Sequence, residues 1–162
     1  MILIALGANL PGRFGSPQAM LEAALQRLPG LGVFPLACSP WYETAPVPVS
    51  DQPNYVNGVA LVDSIHDAEG TLRVLHAVED DFGRVRSERN AARVLDLDLI
   101  DFHGEVREAA PSLPHPRMHE RAFVLVPLHD VAPDWRHPVL GEEVSRLIAA
   151  LPPEQTIRRI GD

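Results

Sequence analysis

Lysine is absent. All fourteen basic residues of the 162 are arginines, so Schiff-base chemistry and any catalytic or phosphate-gripping lysine are excluded. Cys38 is the single cysteine, which excludes a disulfide within the chain and a cysteine-rich zinc site. Positive charge is short as well. Fourteen basic against 22 acidic residues leave a net charge of −8, an unfavourable balance for broad nucleic-acid or anionic-membrane binding. No long apolar run occurs: Met1 to Leu6 is apolar but lacks a basic flank and reaches Gly7 at once. Neither a signal peptide nor a membrane span is expected, and a cytoplasmic protein is the default. No G-x-S-x-G and no Cys–His nucleophile arrangement is found. The turn from Gly7 to Gly12 has the G-x-x-x-x-G spacing of a phosphate-binding loop. However, Arg13 and Phe14 stand where Lys and Ser or Thr are obligatory, so it reads as a structural strand-to-helix turn.

The composition that remains, 46% hydrophobic and 22% charged, is that of an ordinary globular chain, and residues 1–162 are expected to form one domain. Within it, Arg93-Val94-Leu95-Asp96-Leu97-Asp98-Leu99-Ile100 alternates apolar and acidic residues. A period of two marks a half-buried strand. Leu95, Leu97 and Leu99 would enter a core, while Asp96 and Asp98 share the other face, roughly 7 Å apart. Two carboxylates that close repel, and a hard cation such as Mg²⁺, itself holding phosphates, relieves the repulsion. A plain wet face of an antiparallel strand is the competing reading. Four arginines just upstream, Arg84, Arg86, Arg89 and Arg93, favour the first, because guanidinium groups beside an acidic pair suit a metal-bridged polyanion. That combination points to phosphate chemistry.

Elsewhere the elements follow in short order. Ile2 to Leu6 reads as a buried strand. Ser16 and Pro17 open a helix with Met20, Ala24, Leu25 and Leu28 on its apolar face, ended by Pro29-Gly30. Gly32 to Tyr42 reads as one strand broken near Pro40, Glu43 to Pro53 as a proline-rich loop, and Tyr55 to Val62 as a third strand. Asp67 caps a second helix with Leu72, Leu75, Val78 and Phe82 inward and Gly83 as its stop. After the acid-bearing strand come a turn at His103-Gly104 and helices over Arg121–Val131 and Glu142–Leu151. An edge strand is expected at Thr156–Ile160. The predicted class is α+β: a ferredoxin-like βαββαβ sandwich, helices on one face of an antiparallel sheet, with a C-terminal helical extension. Such a topology carries no activity by itself.

Four segments in order carry a resemblance. They are Gly7-Ala8-Asn9-Leu10; Tyr42-Glu43-Thr44 continuing to Asp51-Gln52-Pro53-Asn54-Tyr55-Val56-Asn57; Gly83-Arg84-Val85-Arg86 through Leu95-Asp96-Leu97-Asp98; and Pro114-His115-Pro116-Arg117 through Arg121-Ala122-Phe123. Together they resemble the 6-hydroxymethyl-7,8-dihydropterin pyrophosphokinases of folate biosynthesis. The resemblance implies transfer of pyrophosphate from ATP to the pterin hydroxymethyl, releasing AMP, with two Mg²⁺ ions on the triphosphate. By the same resemblance Asp96 and Asp98 hold metal and, with Arg84 and Arg93, are catalytic. Glu79, Arg86, Arg89, Ser112, His115 and Arg121 contact ATP. Thr44, Val47, Tyr55, Asn57 and Phe123 hold the pterin, whose flat ring wants stacking and whose polar edge wants an amide. Partners are then the two small molecules, with no nucleic acid and no membrane, and the chain is expected to be monomeric.

One departure stands out: Asn90 occupies the place where many family members carry a Trp that closes over the pterin. Seven histidines invite a zinc reading, but Pro116 interrupts the i,i+4 pair His115 and His119. An RNA-binding sheet would need a basic, aromatic face rather than Asp96 and Asp98. A different transferase built on a D-x-D strand is the nearer rival, and the D-Q-P…N segment separates the two.

Overall fold

The computed structural model describes residues 1–46, 51–83 and 95–161. Among them are six strands, β1 (Ile2–Ala8), β2 (Val33–Cys38), β3 (Tyr42–Thr44), β4 (Tyr55–Ser64), β5 (Asp96–Phe102) and β6 (Ile157–Arg159). Four α-helices join them: α1 (Pro17–Arg27), α2 (Ala68–Asp81), α3 (Ala122–Val131) and α4 (Val144–Ala149). All strand pairs are antiparallel, in the order β5-β1-β4-β3-β6, with β2 also pairing β4. The protein is therefore α+β around an open antiparallel sheet.

Helices cover both faces of that sheet, not one. Even-numbered residues of β1 (Ile2, Ile4, Leu6) pack with α1 and α2 through Met20, Leu21, Ala24, Leu75 and Val78. Odd-numbered Leu3 and Ala5 pack with α3 and α4 through Val124, Leu125, Leu128, Val144 and Leu147. A strand flanked on both sides and covered on both faces must be apolar throughout, and β1 is buried at every position. The C-terminal extension thus supplies the second layer, and β6 returns to pair with β3 at Tyr42–Thr44.

Local chemistry explains most boundaries. Ser16 accepts the Ala19 N–H and Pro17 opens α1; Asp67 accepts the Gly70 N–H at the start of α2. Gly83, at φ 88°, turns the chain out of α2 in a conformation costly to any residue with a Cβ. The span expected as one strand from Gly32 to Tyr42 is two. Ser39 takes the break: its Oγ accepts the Val59 N–H and donates to the Pro40 carbonyl. Residues 40–41 step away and Tyr42 re-enters as β3, which reaches two residues into the expected loop. In α1, Leu21 fills the core where Leu25 was expected, Leu25 packing at its margin. Pro127 lies inside α3, and its missing N–H deprives the Phe123 carbonyl of its i+4 donor at the end of the helix nearest the site.

Candidate active site

Register brings the two halves of the site onto one row of the sheet. Asp96 pairs with Gly7, Gly7 with Asn57, and Asn57 with Tyr42. Directly paired residues of an antiparallel sheet project to the same side. The next row pairs Asp98 with Ala5 and Ala5 with Val59. Ala5 and Val59 belong to the α3–α4 layer, so both acids lie on that face, while Leu95, Leu97 and Leu99 fill the opposite core. The alternation expected from the sequence is the one observed. Asp96 and Asp98 are half-buried at the sheet margin, two residues apart on one face of β5.

Glu79 lies behind this strand, on α2. It is 1% exposed, and its Oε2 accepts the N–H of Leu97, the residue between the two acids, at 2.7 Å. Its place is in the interior, fixing the strand, rather than on the open face with Asp96 and Asp98.

The loop after β5 supplies the imidazole and a cation. The His115 N–H donates to the Ile100 carbonyl, and His115 Nδ1 accepts the Arg117 N–H at 3.3 Å. Nδ1 is an acceptor here, so Nε2 carries the proton of the neutral ring. Burial, with the charge of Arg121, holds His115 below the usual histidine range, Asp96 opposing. Burial likewise depresses Arg121, opposed by Asp98; a guanidinium stays charged regardless. The Arg121 guanidinium sits 5.4 Å from the centre of the Phe123 ring, within cation–π range. Ser112 lies earlier in the same loop, its hydroxyl donating to the Glu108 carbonyl at 2.6 Å.

On the other half, Asn57 is 5% exposed and Thr44 7%, and Asn57 Nδ2 donates to Thr44 Oγ1 at 2.7 Å. Tyr55 pairs with Thr44, so Thr44, Tyr55, Asn57 and Tyr42 share the α3 face, where Phe123 packs at the margin of the layer. Tyr42 donates its hydroxyl to Asp130 Oδ2 on α3, and burial and that carboxylate push its pKa up to about 12. Sequence reasoning missed two residues here. Asn9 is 2% exposed and its Nδ2 donates to Gln52 Oε1 and the Pro53 carbonyl, tying the G-A-N segment to the D-Q-P segment. Gly7 lies between Asp96 and Asn57. The signal for both was their place in the first resembling segment. Arg84, Arg86, Arg89, Asn90, Arg93 and Val47 lie outside the described residues.

Among the described residues no group of three or more His, Cys, Asp or Glu could hold a metal ion. An all-protein cage is therefore not built from them, but Mg²⁺ needs only one or two carboxylates when substrate phosphates complete its shell. The donor set fits that mode.

An α+β sheet with an acidic pair at its margin, an imidazole and a guanidinium beside it, and a buried amide two strands away suits an enzyme of phosphoryl-group transfer to a small polar acceptor. The family model described as 7,8-dihydro-6-hydroxymethylpterin-pyrophosphokinase (HPPK) matches residues 3–133, and the chain belongs to that family. It is 42% identical over 156 residues to the 2-amino-4-hydroxy-6-hydroxymethyldihydropteridine pyrophosphokinase of Pseudomonas aeruginosa, covering 93% of this chain and 91% of the relative. The enzyme of the same name from Synechocystis is 41% identical over 150 residues, 90% of this chain and 73% of the relative. That of Methylorubrum extorquens is 37% identical over 154 residues, 93% and 92%. The protein is a pyrophosphokinase, a diphosphotransferase acting on hydroxymethyldihydropterin in folate biosynthesis. No helix among the described residues is long and apolar enough to cross a membrane.

Proposed function

We propose that residues 1–162 act as one monomeric, cytoplasmic domain that moves the β,γ-pyrophosphoryl group of ATP to the pterin hydroxymethyl, releasing AMP. The strand order with β2 and β3 sharing one position beside β4 supports a ferredoxin-like βαββαβ core, overlaid by the C-terminal layer. Asp96 and Asp98 hold two Mg²⁺ ions, which neutralise triphosphate charge when bound. His115, through Nε2–H, and Arg121 donate to phosphate oxygens, as do Arg86 and Arg89. Arg84 and Arg93 stabilise the charge of the group in transit. Ser112 contacts the nucleotide, and Glu79 supports its site by fixing the Leu97 amide between the two acids. Thr44, Val47 and Asn57 read the polar edge of the pterin, and Tyr55 and Phe123 stack on its faces. No described side chain needs to act as general base; alignment of the hydroxyl carries much of the rate.

The observation that supports this reading is the shared row Asp96–Gly7–Asn57, which puts the acidic margin and a buried amide on one face. A nucleotide product assay tests it. With ATP, Mg²⁺ and 6-hydroxymethyl-7,8-dihydropterin, AMP forms only when pterin is present, and Asp96→Ala loses it. ADP in place of AMP would mean single-phosphoryl transfer. Bound ATP without turnover would leave a nucleotide sensor.

A further inference from the structure

Gly7 is the one glycine of the central strand β1, and nothing in its backbone asks for glycine. It is absent from the residues with positive φ, so any L-residue could adopt its extended conformation. Glycine weakens a strand interior, where it offers no side chain to pack. The reason for it must therefore be space. A Cβ at Gly7 would come within 2.8 Å of Asn57 Oδ1, whereas its next neighbours, the Val56 carbonyl oxygen at 3.8 Å and Asn57 Cγ at 3.9 Å, are ordinary contacts. Among the described residues only one atom objects to alanine here, and it is the acceptor of the Asn57 amide. The donor end of the same amide is fixed on Thr44 Oγ1. Gly7 and Thr44 thus bracket the amide, one by leaving room and the other by a hydrogen bond.

We infer that Gly7 is a positioning residue for acceptor specificity: by lacking a side chain it leaves room for the Asn57 amide on the row that it shares with Asp96. The inference rests on the reading of Asn57 as a pterin contact. Neighbouring strands are separated by about 4.8 Å, so the β5 and β4 backbones at this row stand roughly 10 Å apart, with only Gly7 between them. A methyl group there displaces the far end of a short side chain. That shift is easily absorbed by the fold, but it moves an amide whose donor–acceptor pattern must match the heterocycle.

The test is a double-mutant cycle of Gly7→Ala and Asn57→Ala, read by titrating 6-hydroxymethyl-7,8-dihydropterin and, separately, a non-hydrolysable ATP analogue with Mg²⁺. Gly7→Ala is expected to weaken pterin binding by about tenfold or more, with nucleotide affinity changed by less than about twofold. The melting temperature should hold or rise, because alanine restricts the unfolded chain more than glycine does. In the Asn57→Ala background, which removes the objecting oxygen, Gly7→Ala should add less than about twofold. Unchanged pterin affinity in Gly7→Ala, or the same loss in both backgrounds, overturns the inference alone. If the unaltered protein fails to bind pterin, or Asn57→Ala binds it as tightly, the reading of Asn57 falls and takes this inference with it. Should Gly7→Ala fail to fold, the double variant decides. Recovery of the fold on deleting the amide assigns the clash to Asn57, and no recovery overturns the inference.

Discussion

Asp96 and Asp98 owe their positions to Leu95, Leu97 and Leu99, which fill the core behind them. Substituting either acid removes charge from the wet face and leaves the packing untouched. Asp96→Ala and Asp98→Ala are expected to lower turnover by about 10²–10³-fold or more, the scale of losing a fixed electrostatic element of a transfer site. Each should remain folded, since the leucines that fill the core behind it are unchanged. Turnover within a few-fold of normal, in a folded variant, would remove the metal assignment. These acids were legible because alternation against leucines is a two-state pattern that points each residue to a face. Glu79 was not legible in the same way. It was read as a nucleotide contact from its place in the resemblance, and its hydrogen bond to the Leu97 N–H depends on how α2 lies against β5, a tertiary fact. Gly7 was least legible, because glycine leaves no mark on periodicity and its reason sits 50 residues away in Asn57.

At the scale of elements, two side-chain ties set how the layers meet the site. Glu79 joins α2 to the edge strand β5 at the buried N–H of Leu97. Glu79→Ala should cost about 2–3 kcal/mol in urea unfolding, through a buried N–H left unpaired and a cavity. Glu79→Gln, which keeps a carbonyl acceptor, should cost less than half of that. Equal losses in the two variants would show that packing rather than the hydrogen bond does the holding. Tyr42 joins β3 to α3 through Asp130, and Tyr42→Phe leaves the carboxylate without that donor. A loss of about 1 kcal/mol is expected, together with disappearance of a phenol titrating near 12 from the ultraviolet pH titration. A variant as stable as the unaltered protein would contradict the tie. Element types were legible wherever caps are local, as at Ser16 and Asp67. The division of β2 from β3 was legible only as a break near Pro40, because the Ser39 hydroxyl that organises it bonds to Val59 on another strand. The second helical layer escaped for a similar reason: a helix pattern gives the apolar face but not the side of the sheet it will cover.

For the molecule as a whole, the C-terminal layer imposes a pH dependence. Trp135 donates its indole N–H to the buried Asp101 at the end of β5, and the His137 ring packs against both Trp135 and His119. His137 Nδ1 accepts the N–H groups of Val139 and Leu140, a role open only to the neutral ring. Burial and the neighbouring His119 hold His137 below its ordinary value of 6.5, with Asp101 opposing. The folded state therefore binds this proton less readily than the unfolded chain does. Stability from His137 is fully present above pH 6.5 and drains away as pH falls from 6.5 through the lower folded value. His115 is shifted in the same direction and adds to the slope. The melting temperature should fall between pH 7.5 and pH 5, and the fall should be smaller in His137→Gln, which titrates no proton. That variant should also start lower at pH 7.5, having exchanged a fitted ring for a flexible amide. A fall of undiminished size in His137→Gln would place the acid sensitivity elsewhere. The layer that supplies Arg121 and Phe123 to the site would then be held independently of the His137 turn.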